Sequence, residues 1–233
     1  MTPPRVSCIV PVCNGERFLG AAIDSILSQT RPPFEVIVVD DGSTDGTARV
    51  ARAYGARVTY VAQANAGAAG ARNTGIGRAR GDVVAFLDAD DLWLPQKLAR
   101  QAARFEARDD LDLSVTGFQN FWMPEVAADE ERFRGHRLAE PFVGYVVPTL
   151  VARRDAFDRF GVFDPVLRYS PGAPWFVQAL ARGAVLDIMP EVLMRRRLHA
   201  ANLSRTEVEG SMDGFLHFIK GKLDLDRRHA KGS

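Results

Sequence analysis

The sequence predicts an α/β fold in which a mostly parallel sheet lies between two layers of helices. In the first half of the chain, short apolar runs alternate with segments whose apolar residues recur at helical spacing. The runs are typical of strands that are buried on both faces. Repeated strand–helix–strand units with right-handed crossovers build a parallel, three-layer sheet.

The elements of this half follow from local signals, taken in order. Turn or breaking residues, such as Asn14-Gly15 and Pro32-Pro33, separate the apolar runs from the helical segments. We predict strands at 6–12, 36–39, 57–62 and 83–87. We predict helices at 18–27, from a cap at Thr44 or Asp45 to 54, from the small residues at 65–73 to about 81, and from Pro95, which suits a first turn, to about 108.

The second half of the chain is less regular. We predict strands at 113–118, 146–152 and 185–188, and helices at 153–160, 175–182 and 209–225. The charged and polar segment 124–137 predicts a mobile loop or lid. Because no linker divides the chain, we expect one domain over residues 1–233.

Composition limits the class of protein. The chain has 233 residues, 46% of them hydrophobic and 25% charged, as in ordinary soluble globular proteins. Its net charge of +1 does not favour nucleic-acid binding. No segment reads as a membrane span or a signal peptide. We therefore expect a cytoplasmic protein, with peripheral membrane contact left open.

The two cysteines indicate a reducing compartment. Cys8 and Cys13 lie on or just after the first predicted strand, at an odd spacing. Side chains at that spacing point to opposite faces of an extended strand, so a disulfide between them is not expected. Buried free thiols are the interpretation we favour.

Three carboxylates follow the fourth predicted strand. Asp88, Asp90 and Asp91 come directly after the apolar run 83–87, where their mutual repulsion requires a positive partner. Clustered oxygen ligands suit a hard divalent cation, Mg²⁺ or Mn²⁺, which in turn binds a diphosphate. The segment predicts a metal-assisted enzyme with a nucleotide-diphosphate substrate.

Polar clusters follow two other predicted strands, at 14–16 and 40–43. Any one of them could be only a turn with a helix cap. Open α/β sheets, however, bind ligands at the carboxyl ends of their strands, and three clusters on one edge favour a site. A carboxylate after the second strand can accept hydrogen bonds from a base or ribose.

Two further segments have both a structural and a functional interpretation. The segment 67–70 could bind phosphate at a helix N-terminus, but close helix packing explains its small residues equally well. The neighbouring Arg72 could clamp phosphate or a base. The run 195–197 could be a solvated face or could pair with diphosphate, and His199 could be structural or could bind a cation.

In this order, the motifs resemble those of a family-2 glycosyltransferase with the GT-A fold. The resemblance extends over 5–108 and recurs over 147–205. The residues that carry it are Val10-Pro11-Val12-Cys13-Asn14-Gly15-Glu16, Val38-Val39-Asp40-Asp41-Gly42-Ser43-Thr44-Asp45-Gly46-Thr47, Asn65-Ala66-Gly67 through Ala71-Arg72-Asn73, Phe86-Leu87-Asp88-Ala89-Asp90-Asp91, and His199 with Asn202-Leu203-Ser204.

The resemblance implies a role for specific residues. It implies that 1–110 binds the nucleotide sugar and that 111–225 faces the acceptor. The implied substrate-binding residues are Pro11, Val12, Asn14, Asp40, Asp41, Arg72, Asp88, Ala89 and Trp175. The implied ligands of Mn²⁺ or Mg²⁺ are Asp88, Asp90, Asp91 and His199. The cation would neutralise the charge that develops on the departing nucleoside diphosphate.

One position departs from the family pattern. Family members usually carry a carboxylate just before a Trp-containing helix, and it deprotonates the acceptor hydroxyl. In this chain Pro171, Gly172 and Pro174 occupy that stretch, although Trp175 is retained. Asp164 and Glu191 are near in sequence but lack the motif context, so the catalytic base is unassigned.

The leading hypothesis is a metal-dependent, inverting, hexosyltransferase-like enzyme. It would move a sugar from a nucleotide-diphosphate donor, expected to be a UDP-sugar, to a hydroxyl of a glycan, lipid or peptide. The alternative is an impaired glycosyltransferase-like protein that binds nucleotide sugar and acts as a partner or regulator. A nucleotidyltransferase is disfavoured, because no basic signature loop follows the first strand.

Overall fold

The computed structural model describes residues 3–132, 140–167 and 172–202. One mixed sheet runs through this part of the chain. Its strands are β1 (Val6–Val12), β2 (Glu35–Asp41), β3 (Thr59–Gln63), β4 (Val83–Phe86), β5 (Leu92–Trp93), β6 (Leu113–Trp122), β7 (Phe142–Val143), β8 (Val151–Arg153) and β9 (Leu186–Leu198).

The helices pack on both faces of this sheet. They are α1 (Leu19–Leu27), α2 (Thr47–Arg52), α3 (Gly67–Arg78), α4 (Lys97–Ala107), α5 (Ala127–Arg132), α6 (Ala156–Phe160) and α7 (Gly172–Ala181). Short 3₁₀ turns lie at Gly55–Arg57, Pro124–Val126 and Val147–Thr149. None of the helices in the described ranges is long and apolar enough to cross a membrane.

The strand order is β3-β2-β1-β4-β8-β6-β9-β5, with β7 paired to β6. The first four strands are parallel, as the alternation in the sequence predicts. Strand β8 is antiparallel to both β4 and β6, and β5 is antiparallel to β9, whereas β6 and β9 are parallel. The predicted α/β fold with a mostly parallel sheet is confirmed.

Alternate residues of β1 enter two separate cores, one on each face of the sheet. Val10 packs in the core that contains Leu19 of α1 and Leu98 of α4. Ile9 packs in the opposite core, with Phe157 of α6. This alternation follows from the twofold repeat of a strand and produces the three layers.

A close helix approach explains some of the small residues of α3. A Cβ at Gly75 would lie only 2.4 Å from Cγ2 of Ile9, and Ala69 and Ala71 are buried in the same core. Only a residue without a side chain allows α3 to sit this close to β1. Packing is therefore a sufficient role for this part of the helix.

Several predicted elements were wrong in extent or type. Residues 146–149 form an extended residue and a 3₁₀ turn rather than a strand, and the helix predicted at 153–160 begins at 156. The strand predicted at 185–188 continues to 198 as β9, so the arginine run lies on a strand. The strand β5 was not predicted.

The segment predicted as a loop at 124–137 is helical in its described part. Pro124–Val126 and α5 cover residues 124–132, and Glu125 pairs with Arg17 at 2.6 Å. Residues 133–137 of that segment, and the helix predicted at 209–225, lie outside the described residues. Both cysteines are free, as predicted, but only Cys8 is buried and Cys13 is exposed.

Candidate functional site

The loops after β1 and β2 are joined by hydrogen bonds. The Asn14 amide donates to Oγ of Ser43 at 2.8 Å, and Oδ1 of Asn14 accepts the Thr44 amide at 2.8 Å. Asn14 has φ of 53°, a left-handed conformation that asparagine tolerates better than most residues. The first two polar clusters predicted from the sequence therefore form one continuous edge. Pro11 and Val12 are buried directly before it.

The two carboxylates after β2 are both buried, and they differ in the number of oxygens that accept hydrogen bonds. Asp40 accepts the Ser43 amide at 2.9 Å and the Tyr60 hydroxyl at 2.7 Å, one on each oxygen. Burial, together with this bond to Asp40, raises the pKa of Tyr60 to about 12. Asp40 thus braces the loop rather than facing a ligand.

Only one of the two carboxylate oxygens of Asp41 accepts hydrogen bonds from the described residues. Its Oδ1 accepts Nε2 of Gln63 at 2.7 Å and the Ala66 amide at 2.8 Å. Its Oδ2 accepts no hydrogen bond from the described residues. Of the pair predicted to hold the base or ribose, Asp41 is therefore the one that keeps an acceptor available.

The acidic segment after β4 contains carboxylates in two different environments. The side chains of Asp88 and Asp90 are 35% and 34% exposed. Asp91 is buried at 4%, and its Oδ1 accepts the Arg197 amide at 2.9 Å. Burial, and then the charges of Asp90 and Asp88, raise the pKa of Asp91 well above its usual range. The prediction that Asp91 is a metal ligand does not fit this position: Asp91 anchors β9.

A buried arginine neutralises Asp88. Nη2 of Arg72, on α3, donates to Oδ1 of Asp88 at 2.6 Å, and Arg72 is only 6% exposed. No described residue accepts a hydrogen bond from Nε of Arg72. The arginine that the sequence placed near the nucleotide is thus held against the acidic segment.

Two side chains from the end of β9 hold Asp90. Nε2 of His199 and Nδ2 of Asn202 each lie 3.1 Å from Oδ2 of Asp90. Nδ1 of His199 accepts the Ala201 amide at 3.3 Å, so in the neutral ring the proton is on Nε2 and is donated to Asp90. In this arrangement His199 orients Asp90. Binding a cation through Nε2 would require it to lose that proton.

Arg197 and Phe18 complete the support of Asp90. The sequence marked Arg197 only as part of the run 195–197, and it did not mark Phe18. Nε of Arg197 donates to the Asp90 carbonyl at 2.8 Å. Its guanidinium carbon lies 4.7 Å from the ring centre of Phe18 and 4.8 Å from that of Phe121. Burial lowers the pKa of Arg197. The arginine run is therefore neither a wholly solvated face nor, at Arg197, free for a diphosphate.

The donor set suits a hard cation that arrives with its substrate. No group of three or more His, Cys, Asp or Glu side chains among the described residues is assembled to hold an ion. Mg²⁺ and similar cations, however, keep several waters and use one or two carboxylates together with substrate phosphates. Asp88 and Asp90 each keep one oxygen that accepts no hydrogen bond from the described residues. These two carboxylates fit such an ion.

The stretch expected to supply a base begins a buried helix. A Cβ at Gly172 would lie 2.5 Å from Cγ2 of Val147, so α7 starts in tight contact with that 3₁₀ turn. Pro171 lies outside the described residues, and Pro174 is within the first turn of α7. From Gly172 to Ala181 no residue is a carboxylate.

Trp175 is a core residue, contrary to its predicted contact with substrate. It is 3% exposed, and its Nε1 donates to the Gly161 carbonyl at 2.6 Å. Its ring stacks on Phe157 with 4.9 Å between centroids and lies 5.3 Å from Phe163. The tryptophan that resembles the family motif therefore packs α7 onto α6.

The chain was compared with protein-family models and with curated proteins. The model of glycosyl transferase family 2 matches residues 7–161. An uncharacterized glycosyltransferase of Rickettsia prowazekii is 32% identical over 230 residues, which cover 91% of this chain and 72% of that protein. The uncharacterized glycosyltransferase EpsJ of Bacillus subtilis is 30% identical over 232 residues, covering 91% and 67%.

Solved structures have the same fold. TarS of S. aureus (residues 1–349, in complex with UDP) superposes with a TM-score of 0.68 at 22% identity, over 83% of this chain and 60% of that one. The mannosyltransferase PcManGT from Pyrobaculum calidifontis, in complex with GDP-Man and Mn²⁺, gives a TM-score of 0.72 at 20% identity, over 95% and 64%. The chain thus spans less than two thirds of these structures, and at such identities the likeness establishes the fold.

Proposed function

Because the chain belongs to glycosyl transferase family 2, we propose that it is a glycosyltransferase that moves a sugar from a nucleotide-diphosphate donor to an acceptor hydroxyl with the aid of a divalent cation. One observation carries this proposal. Asp88 and Asp90 lie together at the carboxyl edge of the parallel strands, each held through one oxygen and each keeping the other without a partner among the described residues.

The donor is proposed to be a UDP- or GDP-sugar. The TarS structures contain UDP and UDP-GlcNAc, and the PcManGT structure contains GDP-Man with Mn²⁺. These ligands belong to those proteins, and we extend only their shared chemistry, a nucleoside diphosphate, to this chain. We retain a UDP-sugar as the first donor to test. The base or ribose would meet the available oxygen of Asp41, beside Asn14.

The described residues have separate roles at the diphosphate end of the site. Asp88 and Asp90 would hold Mn²⁺ or Mg²⁺, which when bound supplies positive charge to the leaving nucleoside diphosphate. His199 and Asn202 fix Oδ2 of Asp90. Arg72 fixes Oδ1 of Asp88 and brings a guanidinium to the same edge. Ala89, between the two carboxylates, packs against the core next to the β1–α1 loop.

The acceptor side is proposed to work by an inverting displacement. Such a step needs a base beside the incoming hydroxyl, worth roughly a hundredfold or more in rate. The helix Gly172–Ala181 carries no carboxylate to serve as that base. We therefore propose either a base elsewhere in the chain or an acceptor that is reactive enough without one.

The absence of a carboxylate from α7 supports a second candidate function. A protein whose α7 starts at Gly172, tight against Val147, has no room at that position for the missing carboxylate side chain without a shift of the turn. Such a protein could bind a nucleotide sugar without transferring it. It would then act as a partner or regulator of an active enzyme.

Donor turnover separates these two candidates. The protein is incubated with a panel of UDP- and GDP-sugars and Mn²⁺, with and without simple hydroxyl acceptors, and release of nucleoside diphosphate is followed. Release above the protein-free rate, lost in Asp90→Asn, would support the transferase. Tight binding of a nucleotide sugar without release for any donor or acceptor would support the binding protein.

A further inference from the structure

We propose that Phe18 is a positioning residue for the diphosphate end of the site. This inference rests on the proposed function. The centre of the Phe18 ring lies 4.7 Å from the His199 ring centroid and 4.7 Å from the guanidinium carbon of Arg197. Arg17, its neighbour in sequence, also lies 4.7 Å away. One aromatic ring thus contacts His199 and Arg197, two of the three residues that hold Asp90, the third being Asn202.

The ring is held by the loop that follows β1. The Phe18 amide donates to the Gly15 carbonyl at 3.0 Å, and the Leu19 amide donates to the same oxygen at 2.9 Å, which starts α1. A Cβ at Gly15 would lie 3.6 Å from Cβ of Ala89, the residue between Asp88 and Asp90. The backbone that carries Phe18 therefore lies beside the acidic segment.

The Phe18 ring packs against two of the residues that bind Asp90. His199 fixes the Asp90 carboxylate, and Arg197 fixes the Asp90 carbonyl. Both rest on the same ring, and His199 is only 6% exposed. Removing the ring leaves space beside the imidazole and takes away one of the two aromatic contacts of the guanidinium. Residues that orient metal ligands typically change metal affinity or activity by about 10- to 100-fold when they are lost.

A purely structural role makes a different prediction from positioning. If Phe18 only filled space at the start of α1, an apolar replacement would lower stability and leave the affinity for the cation unchanged. If Phe18 positions His199 and Arg197, the same replacement weakens the cation–nucleotide complex while nucleotide binding without metal is retained.

The chain supplies a matched control. Phe34 is also a phenylalanine under two arginines, with Arg5 at 4.8 Å and Arg80 at 5.8 Å from its ring, and it is 44% exposed. It lies just before β2, whereas the site is formed by the loops after the strands. Phe34→Leu removes the same kind of cation–π contact without touching the site.

The experiment compares Phe18→Leu, Phe18→Tyr and Phe34→Leu with the wild type. Mn²⁺ binding in the presence of UDP is measured from the EPR signal of free Mn²⁺, UDP binding is measured in EDTA, and kcat and KM are measured for donor turnover. We expect Phe18→Leu to weaken Mn²⁺ binding by about tenfold and to lower kcat more than it raises KM. Phe18→Tyr and Phe34→Leu should remain close to wild type. Should Phe18→Leu fail to fold, Phe18→Met, which fills a similar volume without a ring, carries the same expectation.

Two results would overturn the inference in distinguishable ways. Wild-type Mn²⁺ affinity and kcat in both Phe18→Leu and Phe18→Met would remove the positioning role and leave the proposed function intact. A wild-type protein that binds UDP equally well in Mn²⁺ and in EDTA would remove the proposed function and the inference with it. An NMR shift of the His199 ring protons in Phe18→Leu reports the ring contact independently of any turnover.

Discussion

Arg72 and Asp88 form an ion pair of 2.6 Å in which the arginine side chain is 7% exposed and the aspartate side chain 35%. The guanidinium of Arg72 is thus buried, whereas the carboxylate of Asp88 reaches the surface. The pair lies between the small-residue helix α3 and the acidic segment after β4. It places a positive charge beside the Asp88 carboxylate at the edge of an apolar core.

This asymmetry predicts that the two partly buried carboxylates, Asp88 and Asp90, differ in their contribution to stability. Asp88→Ala leaves the buried guanidinium of Arg72 without its partner, which costs about 1–3 kcal/mol or more. Asp90→Ala removes hydrogen bonds to His199 and Asn202 and should cost less. Urea unfolding in EDTA measures both free energies of unfolding. Equal losses, or a larger loss for Asp90→Ala, would contradict the assignment of Arg72 to Asp88.

The close approach of the β1–α1 loop to the Val12 side chain predicts a strict requirement for glycine at position 15. A Cβ there would lie 2.4 Å from Cγ2 of Val12, so Gly15→Ala should destabilise the fold by about 1–3 kcal/mol. The control is Gly77→Ala, because nothing lies within 4 Å of a Cβ at that helical position. Alanine there should stabilise the protein slightly. Thermal melting of both variants tests the contrast, and a similar effect in the two would be inconsistent with it.

A buried lysine predicts that stability depends on pH. Lys97 is fully buried, with Nζ donating to Oε1 of Gln101 at 2.6 Å and lying 4.4 Å from the Trp93 ring centre. Burial lowers the pKa of Lys97 to about 7. Between about pH 7 and about pH 10 the unfolded chain therefore binds more protons than the folded one, and stability rises with pH. Below that window both states are protonated and this contribution is flat.

The isosteric variant Lys97→Met isolates this effect. It has no titratable group at the site, so its free energy of unfolding should lack the rise that the wild type shows across the window. Buried Cys8 is the nearby titratable group that both proteins share. Parallel pH profiles for wild type and variant would show that Lys97 is not responsible.

The contrast between the two thiols predicts selective labelling. Cys13 is exposed at the end of β1, where Nδ2 of Asn65 lies 3.6 Å from its sulfur, while Cys8 is buried. Burial and then the charge of Asp41 raise the pKa of Cys13, so its alkylation should be slow at neutral pH and faster in alkali. We expect one thiol per native chain to react with iodoacetamide and UDP to slow that reaction. If UDP does not affect the labelling of Cys13, the nucleotide base does not bind at this end of the sheet.

The parallel half of the fold could be predicted because its information is local. Continuous apolar runs, capping residues and turn residues lie within a few positions of the elements they define. The same local signals placed Asp41, Asp88 and Asp90 on one edge. The edge follows from topology alone, since all parallel strands end on the same side of the sheet.

The errors occurred where burial depends on partners distant in sequence. Asp91 looks like Asp88 and Asp90 in the sequence, and only its bond to the β9 backbone shows that it is buried. The strand predicted at 185–188 covers only the first part of β9, and the arginine run lies on the last part. The Phe18 and Phe121 rings that cover Arg197 lie far away in the chain. A strand continued through that run would have placed Arg197 and His199 on one face.

Asp88 and Asp90 are proposed to bind a divalent cation together with a nucleoside diphosphate. Calorimetric titration of UDP and GDP into the wild-type protein and Asp90→Ala, in Mn²⁺ and in EDTA, tests this proposal most directly. If the two carboxylates hold the cation, Mn²⁺ tightens nucleotide binding in the wild type and has no effect in Asp90→Ala. An affinity that is the same with and without Mn²⁺ in the wild type would contradict the proposal.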